Sequence, residues 1–291
     1  MKKLSILTLL MLLTSVATYA NDRIQVLLKG DSIIYSMADQ HFDIFERLDG
    51  GEEFDFHGFK GKEFENKGLK YKVVQPKVTN QNRSWIIRAR FWGHQPQLDR
   101  RLLALGYHVV YCDVEDLFGS PEAVKRWDLF YKIMRKAGLN KKAVLEGMSR
   151  GGLIVYNWAV ENPKKVSAIY ADAPVLDLKS WPFGNEKYAK EKELALKAYS
   201  MTEEQMMAYK GNPMDNAVKI AKAQIPIIHV VGDADVVVPY ADNTERFAEI
   251  LRENGAKIEL IIKSGKGHHP HSLKNPKRLV EFILRAEGII D

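Results

Sequence analysis

Between residues 85 and 286 the chain alternates short β-like runs with helix-like ones. No other feature constrains the fold as much. Strand–helix–strand units close into a mostly parallel sheet covered by helices on both faces. The β-like runs are 85–91, 108–114, 143–145, 166–170, 225–231 and Ile258–Lys263. A short helix is predicted at 98–105 and closes at Gly106. Ser120-Pro121-Glu122 supplies a cap, a proline at the first helical position and an early acid, and it opens a stripe of Ala123, Trp127, Phe130, Tyr131 and Met134. Further helices follow at 153–162, from Asp242 and Glu245 to Gly255, and at Lys277–Ala286. Upstream, Leu69–Val74 and the run around Phe54, Phe56 and Phe59 predict two antiparallel strands. The expected fold class is therefore α/β, a doubly wound, mostly parallel sheet with an antiparallel start.

With 291 residues, 46% hydrophobic and 27% charged, the chain has ordinary globular proportions and length enough for a sizeable core. The formal charge of +6 is spread among mixed lysines and glutamates, with no basic block, so no nucleic-acid partner is expected. The first twenty residues read as a secretory signal peptide: Lys2 and Lys3, an apolar stretch at 4–16 too short to span a membrane, then small residues at Ala17 and Ala20. A periplasmic or secreted location follows as an expectation, with no membrane span in the mature chain. Cys112 is the one cysteine, so no internal disulfide can form. Residues 21–291 are expected to form one domain. Within it, residues 178–215 lack any strand pattern and predict a helical insertion, either a lid over a site or a packing embellishment.

The sharpest chemical signal is Gly147-Met148-Ser149-Arg150-Gly151, followed by Gly152. An apolar strand precedes it and an apolar helix follows. A serine on such a strand-to-helix turn is lifted above the sheet edge as a nucleophile, and the glycines let the backbone turn without Cβ clashes. A serine needs a base, and the base an orienting acid. Two segments at later strand ends supply them: Gly232-Asp233-Ala234-Asp235, then Gly265-Lys266-Gly267-His268-His269-Pro270-His271. The chain order is Ser, Asp, His.

On these three motifs the chain resembles secreted bacterial α/β-hydrolases, and in its G-D-A-D-x-x-V-P and G-x-G-H segments the serine esterase and prolyl-oligopeptidase-like branches. The resemblance covers roughly residues 52–290. It implies Ser149 as nucleophile, Asp235 as the acid and His268 as the base, with no cofactor. Asp233 and then Asp172 are the alternative acids, and His269 the alternative base. One oxyanion donor is expected from the backbone N–H of Arg150 and the second from the loop after residues 85–91. There the sequence Arg88-Ala89-Arg90-Phe91-Trp92-Gly93-His94 departs from the His-Gly of many relatives, and Phe91 is taken as the donor.

Arg88 and Arg90 lie two apart on one predicted strand and so share a face. They are candidate substrate-binding residues, against the plainer alternative that they pair with Asp113, Glu115 or Glu146. The histidine cluster at 268–271 lacks the spacing and partner segments of a zinc site, so no metal is expected. The function expected from the resemblance is an exported serine hydrolase acting on a carboxylic ester of a small molecule or oligosaccharide. A serine peptidase of prolyl-oligopeptidase type is the first alternative. The absence of a recognisable propeller segment tilts the expectation to esters. A catalytically silent binding protein of the same fold is the second alternative.

Overall fold

The computed structural model describes residues 38–291 except 40 and 67, so the expected signal peptide lies outside the described residues. A two-stranded antiparallel ribbon joins β1 (Ala38–Asp39) to β5 (Thr79–Asn80). The central sheet has nine strands. β2 (Glu52–Phe56), β3 (Phe59–Asn66) and β4 (Leu69–Val74) form an antiparallel start, which β4 joins to β7 (His108–Cys112). β6 (Trp85–Arg88), β7, β8 (Ala143–Met148), β9 (Val166–Asp172), β10 (Ile227–Gly232) and β11 (Ile258–Lys263) run parallel. The strand order is β11-β10-β9-β8-β6-β7-β4-β3-β2.

The helices split between the faces, which makes the sheet doubly wound. α1 (Gln97–Ala104) buries Leu98, Leu102 and Leu103 on one face, beside the C-terminal helix Lys277–Ala286 with Leu279, Phe282 and Ile283. α2 (Pro121–Lys136) and α3 (Gly151–Glu161) cover the other, with Trp127, Phe130 and Trp158 fully buried. In the insertion, α4 (Ala189–Tyr199) and α5 (Glu203–Ala208) pack Ala195, Tyr199 and Met206 against Phe118, Leu153 and Val238. The capping box expected at Thr202 and Gln205 opens α5. α6 (Ala217–Ala223) and α7 (Arg246–Glu253) complete the second face, and α8 is the C-terminal helix at Lys277–Ala286.

Three antiparallel strands precede the parallel ones where two were expected. β3 is long and polar, and only Gly61 and Phe64 of it are buried. The Phe54 ring packs over Gly61, where a Cβ would sit 2.5 Å from it and make the ring shift. β6 also stops at Arg88 rather than at residue 91, and Phe91 takes a left-handed conformation (φ 53°) that no strand sustains. β6 lies between β7 and β8, so the chain crosses over it on its way from β7 to β8. The order reverses there. In open α/β sheets the crevice at the carboxyl ends of strands beside such a reversal is where ligands bind. The loops after β6 and β8 carry Phe91 and Ser149.

Candidate active site

Ser149 follows β8 directly and is left-handed (φ 49°), a conformation that costs a non-glycine residue about 1–3 kcal/mol and persists only where neighbours enforce it. They do so here. Its N–H donates to the Asp172 carbonyl (2.8 Å), and its own carbonyl accepts from Gly152 and Val175 (both 2.9 Å). The glycines leave the room this turn needs: a Cβ on Gly147 would meet Gly151 and Val155 at 2.9 Å, and one on Gly152 would meet Pro174 at 2.6 Å.

The structure brings Ser149, His268 and Asp235 into one hydrogen-bonded chain. His268 Nε2 lies 2.9 Å from Ser149 Oγ, and His268 Nδ1 lies 2.7 Å from Asp235 Oδ2. All three residues are buried. Asp235 Oδ1 accepts from the Val237 and Val238 N–H groups (2.8 and 2.9 Å). Burial alone would push the Asp235 carboxyl up. The His268 hydrogen bond and the two backbone donors outweigh it and hold the group below the usual aspartate range, so Asp235 stays an anion beside the imidazole. The acid loop and the histidine loop touch at Gly232, where a Cβ would lie 2.1 Å from the Lys266 carbonyl oxygen. No other residue allows that approach.

The alternative residues have other partners. Asp233 accepts from the Gly265 N–H (2.6 Å) and so shapes the histidine loop. Asp172 is fully buried; one carboxylate oxygen lies 2.6 Å from His271 Nδ1, and the other accepts from the Tyr170 hydroxyl (2.9 Å) and the Ser272 N–H (2.7 Å). Since its carbonyl also takes the Ser149 N–H, Asp172 ties the serine turn to the histidine loop. His269 is exposed and packs its ring 5.2 Å from that of His268. Among the described residues no group of three or more His, Cys, Asp or Glu side chains is arranged to hold a metal.

A pocket of about 500 Å³ opens over Ser149 and is lined by Phe91, Trp92, Trp181, Arg150, Glu191 and the imidazoles of His94, His268, His269 and His271. Partial burial and the neighbouring His271 push the His94 and His269 imidazoles below their usual range. Trp181 and Glu191 come from the helical insertion, which thus forms one wall. Among the described residues, neither the Arg150 nor the Phe91 backbone N–H donates to any group. Both residues line the pocket beside Ser149, as two oxyanion donors must.

Sequence reasoning passed over His94, His271 and Glu191 as pocket residues. The Trp92-Gly93-His94 turn at a strand end was a signal for the first. Spacing alone could not separate His271 from its neighbours, and Glu191 reads as one more charge on a solvated helix.

The expected substrate-binding role of Arg88 and Arg90 is corrected. Arg88 is 1% exposed and does not reach the pocket. Its guanidinium bonds Asp99 at 2.5 Å, lies 3.3 Å from Glu146, and donates to the carbonyls of Phe91 (3.2 Å) and His94. Burial disfavours the Arg88 charge, but Asp99 and Glu146 outweigh it and raise its pKa. Burial and the proximity of Asp99 push the Glu146 carboxyl well up. Arg88 therefore supports the loop that carries Phe91. Arg90, past the end of β6, does not share its face; it stacks on the Phe91 ring (4.8 Å) and faces Glu115 at 3.7 Å. Replacing Arg88 by Met is expected to lower stability by about 3–5 kcal/mol, because two buried acids lose their cation. Arg90→Gln is expected to cost about 1 kcal/mol or less, since the one ion pair it makes among the described residues is a long 3.7 Å contact to the partly exposed Glu115. Urea unfolding of both variants checks the contrast; equal losses would contradict it.

A model of the prolyl oligopeptidase family matches residues 131–286, a span that includes Ser149, Asp235 and His268. Comparison with curated proteins gave no match. Among solved structures, a puromycin-hydrolysing peptidase of Mycobacterium tuberculosis aligns with a TM-score of 0.58 at 14% identity, over 78% of this chain and 38% of that one. Dipeptidyl peptidase 4 of Porphyromonas gingivalis aligns with a TM-score of 0.56 at 16% identity, over 79% and 35%. A membrane phospholipase A, a bacterial virulence factor, aligns with a TM-score of 0.52 at 14% identity, over 79% and 87%. The chain thus spans well under half the length of either peptidase. At such identities the likenesses establish the α/β-hydrolase fold.

Proposed function

The chain belongs to the prolyl oligopeptidase family of serine hydrolases, and we propose that it cleaves a carboxylic ester through an acyl-enzyme built on Ser149, His268 and Asp235. The single observation that carries this reading is the unbroken chain Ser149 Oγ···His268 Nε2, His268 Nδ1···Asp235 Oδ2 at the floor of the pocket. Ser149 Oγ attacks the ester carbonyl while His268 Nε2 takes its proton. Asp235 stabilises the imidazolium and fixes its orientation. The tetrahedral oxyanion rests on the backbone N–H groups of Arg150 and Phe91. Collapse breaks the bond to the leaving alkoxide, which receives the proton from His268. Water then attacks the acyl-enzyme by the same steps and releases the acid and free Ser149.

The likeness to a membrane phospholipase A favours an ester. A peptidase is the second reading, favoured by the family itself and by the puromycin-hydrolysing neighbour. Export belongs to the same proposal and rests on Lys2, Lys3, the apolar run at 4–16 and the small residues Ala17 and Ala20. An exported enzyme of this kind meets acylated small molecules and oligosaccharides. The insertion at 178–215 acts as a lid, with Trp181 and Glu191 over the acyl site.

The test is a comparison of kcat/KM for short acyl 4-nitrophenyl esters, methyl esters of uronic acids and aminoacyl 4-nitroanilides. Higher values on esters are expected. Cleavage of the anilides alone would establish the peptidase instead. Failure of a fluorophosphonate to label Ser149 would leave a silent scaffold.

A further inference from the structure

Arg88, Arg90 and Arg150 lie near the site in the sequence, and their side chains end in different surroundings. Arg88 and Arg90 face acids outside the pocket. Arg150 lines the pocket, one residue from the nucleophile, and among the described residues no carboxylate lies within ion-pair distance of it. Instead its guanidinium carbon sits 5.2 Å from the Phe118 ring and 6.0 Å from the Trp181 ring. Those rings stack on each other, 6.0 Å apart at 16°. Phe118 is itself held: it is left-handed (φ 46°), its carbonyl accepts the Tyr199 hydroxyl from α4 (3.0 Å), and Gly119 beside it packs against α3 so closely that a Cβ would meet Leu153 at 2.7 Å. The aromatic pair is thus a fixed platform for a cation.

A guanidinium over aromatic faces keeps its N–H fork free at the edges, and that fork matches a carboxylate in two-point contact. A cation in a partly desolvated pocket without a counter-ion lacks what ordinarily stabilises it. Glu191 lines the same pocket, and among the described residues no ion pair joins it to Arg150. We propose that the Arg150 side chain is a carboxylate-recognition site, and that the preferred substrates carry a carboxylate a few bonds beyond the reacting carbonyl. The proposal rests on the serine-hydrolase reading above and narrows its substrate class to anionic acyl groups.

Two esters of equal acyl length test it: 4-nitrophenyl hemisuccinate, which ends in a carboxylate, and 4-nitrophenyl butyrate, which ends in a methyl group. The readout is the ratio of their kcat/KM values, since any disturbance of the backbone donor at residue 150 affects both. Wild type is expected to prefer the hemisuccinate. Arg150→Gln is expected to lower the ratio by about 10- to 100-fold, as for loss of a hydrogen bond to a charged group. Arg150→Lys is expected to keep part of it, and rising ionic strength to erode it in wild type but not in Arg150→Gln. An unchanged ratio in Arg150→Gln, or a wild type that favours butyrate, would overturn the proposal. If neither ester is turned over, the ester reading fails separately, and thermal stabilisation by monomethyl succinate against methyl butyrate decides the anion site. Stabilisation by the succinate that disappears in Arg150→Gln supports it; no selective stabilisation overturns it.

Discussion

Ser149→Ala is expected to lower kcat about a millionfold while leaving the protein folded and close to wild-type stability. The size of the loss follows from the arrangement: without Oγ, the imidazole of His268 and the carboxylate of Asp235 have nothing to activate, and the three groups act as a unit. The unchanged fold follows from what holds residue 149 in place. Its left-handed conformation is fixed by backbone bonds to Asp172, Gly152 and Val175, none of which uses the hydroxyl, and alanine meets the same φ cost as serine. The oxyanion donors survive too, so a residual acceleration of about a thousandfold or more over water is expected. Steady-state turnover of the best ester, set beside a thermal unfolding curve, checks both halves. Near-normal turnover in this variant would remove Ser149 from the mechanism.

Much of this site was legible because its parts sit at strand ends with glycines where the backbone must pass closely. Ile258–Lys263 and Lys277–Ala286 were bounded correctly from pattern, the first as a β-branched run that stops before Ser264-Gly265 and the second as an amphipathic helix that follows Pro276. Gly147, Gly152 and Gly232 carry the local steric demands that make a serine turn and a contact between two loops. Long-range pairing left no such mark. Asp99 looks like a surface acid in the first turn of a short helix, yet it is fully buried because Arg88 enters from a strand eleven residues earlier. The shared face read for Arg88 and Arg90 depended on a strand reaching residue 91. The strand ends at Arg88 instead, and the two side chains meet different partners. Arg150 could not be told from them in sequence. What sets it apart is the Phe118–Trp181 platform, assembled from a turn before α2 and from the insertion, which sequence spacing does not connect.

The second large effect is expected at His268. His268→Ala should lower kcat about as far as Ser149→Ala does, because a serine hydroxyl without its base is a weak nucleophile and the leaving alkoxide loses its proton donor. The neighbouring histidines give the contrast. His269 is exposed and lines the rim, so His269→Ala should leave most of the turnover. His271 is buried, and its Nδ1 is 2.6 Å from Asp172, whose carbonyl anchors Ser149. Removing that ring leaves a buried carboxylate with one partner fewer. His271→Ala should therefore lose stability by about 1–3 kcal/mol and show an intermediate loss of turnover. Three variants measured together, by turnover and by unfolding, separate base from support. The base is the one whose loss abolishes turnover without lowering stability to match, and inactivity confined to His269→Ala would shift the catalytic register by one residue.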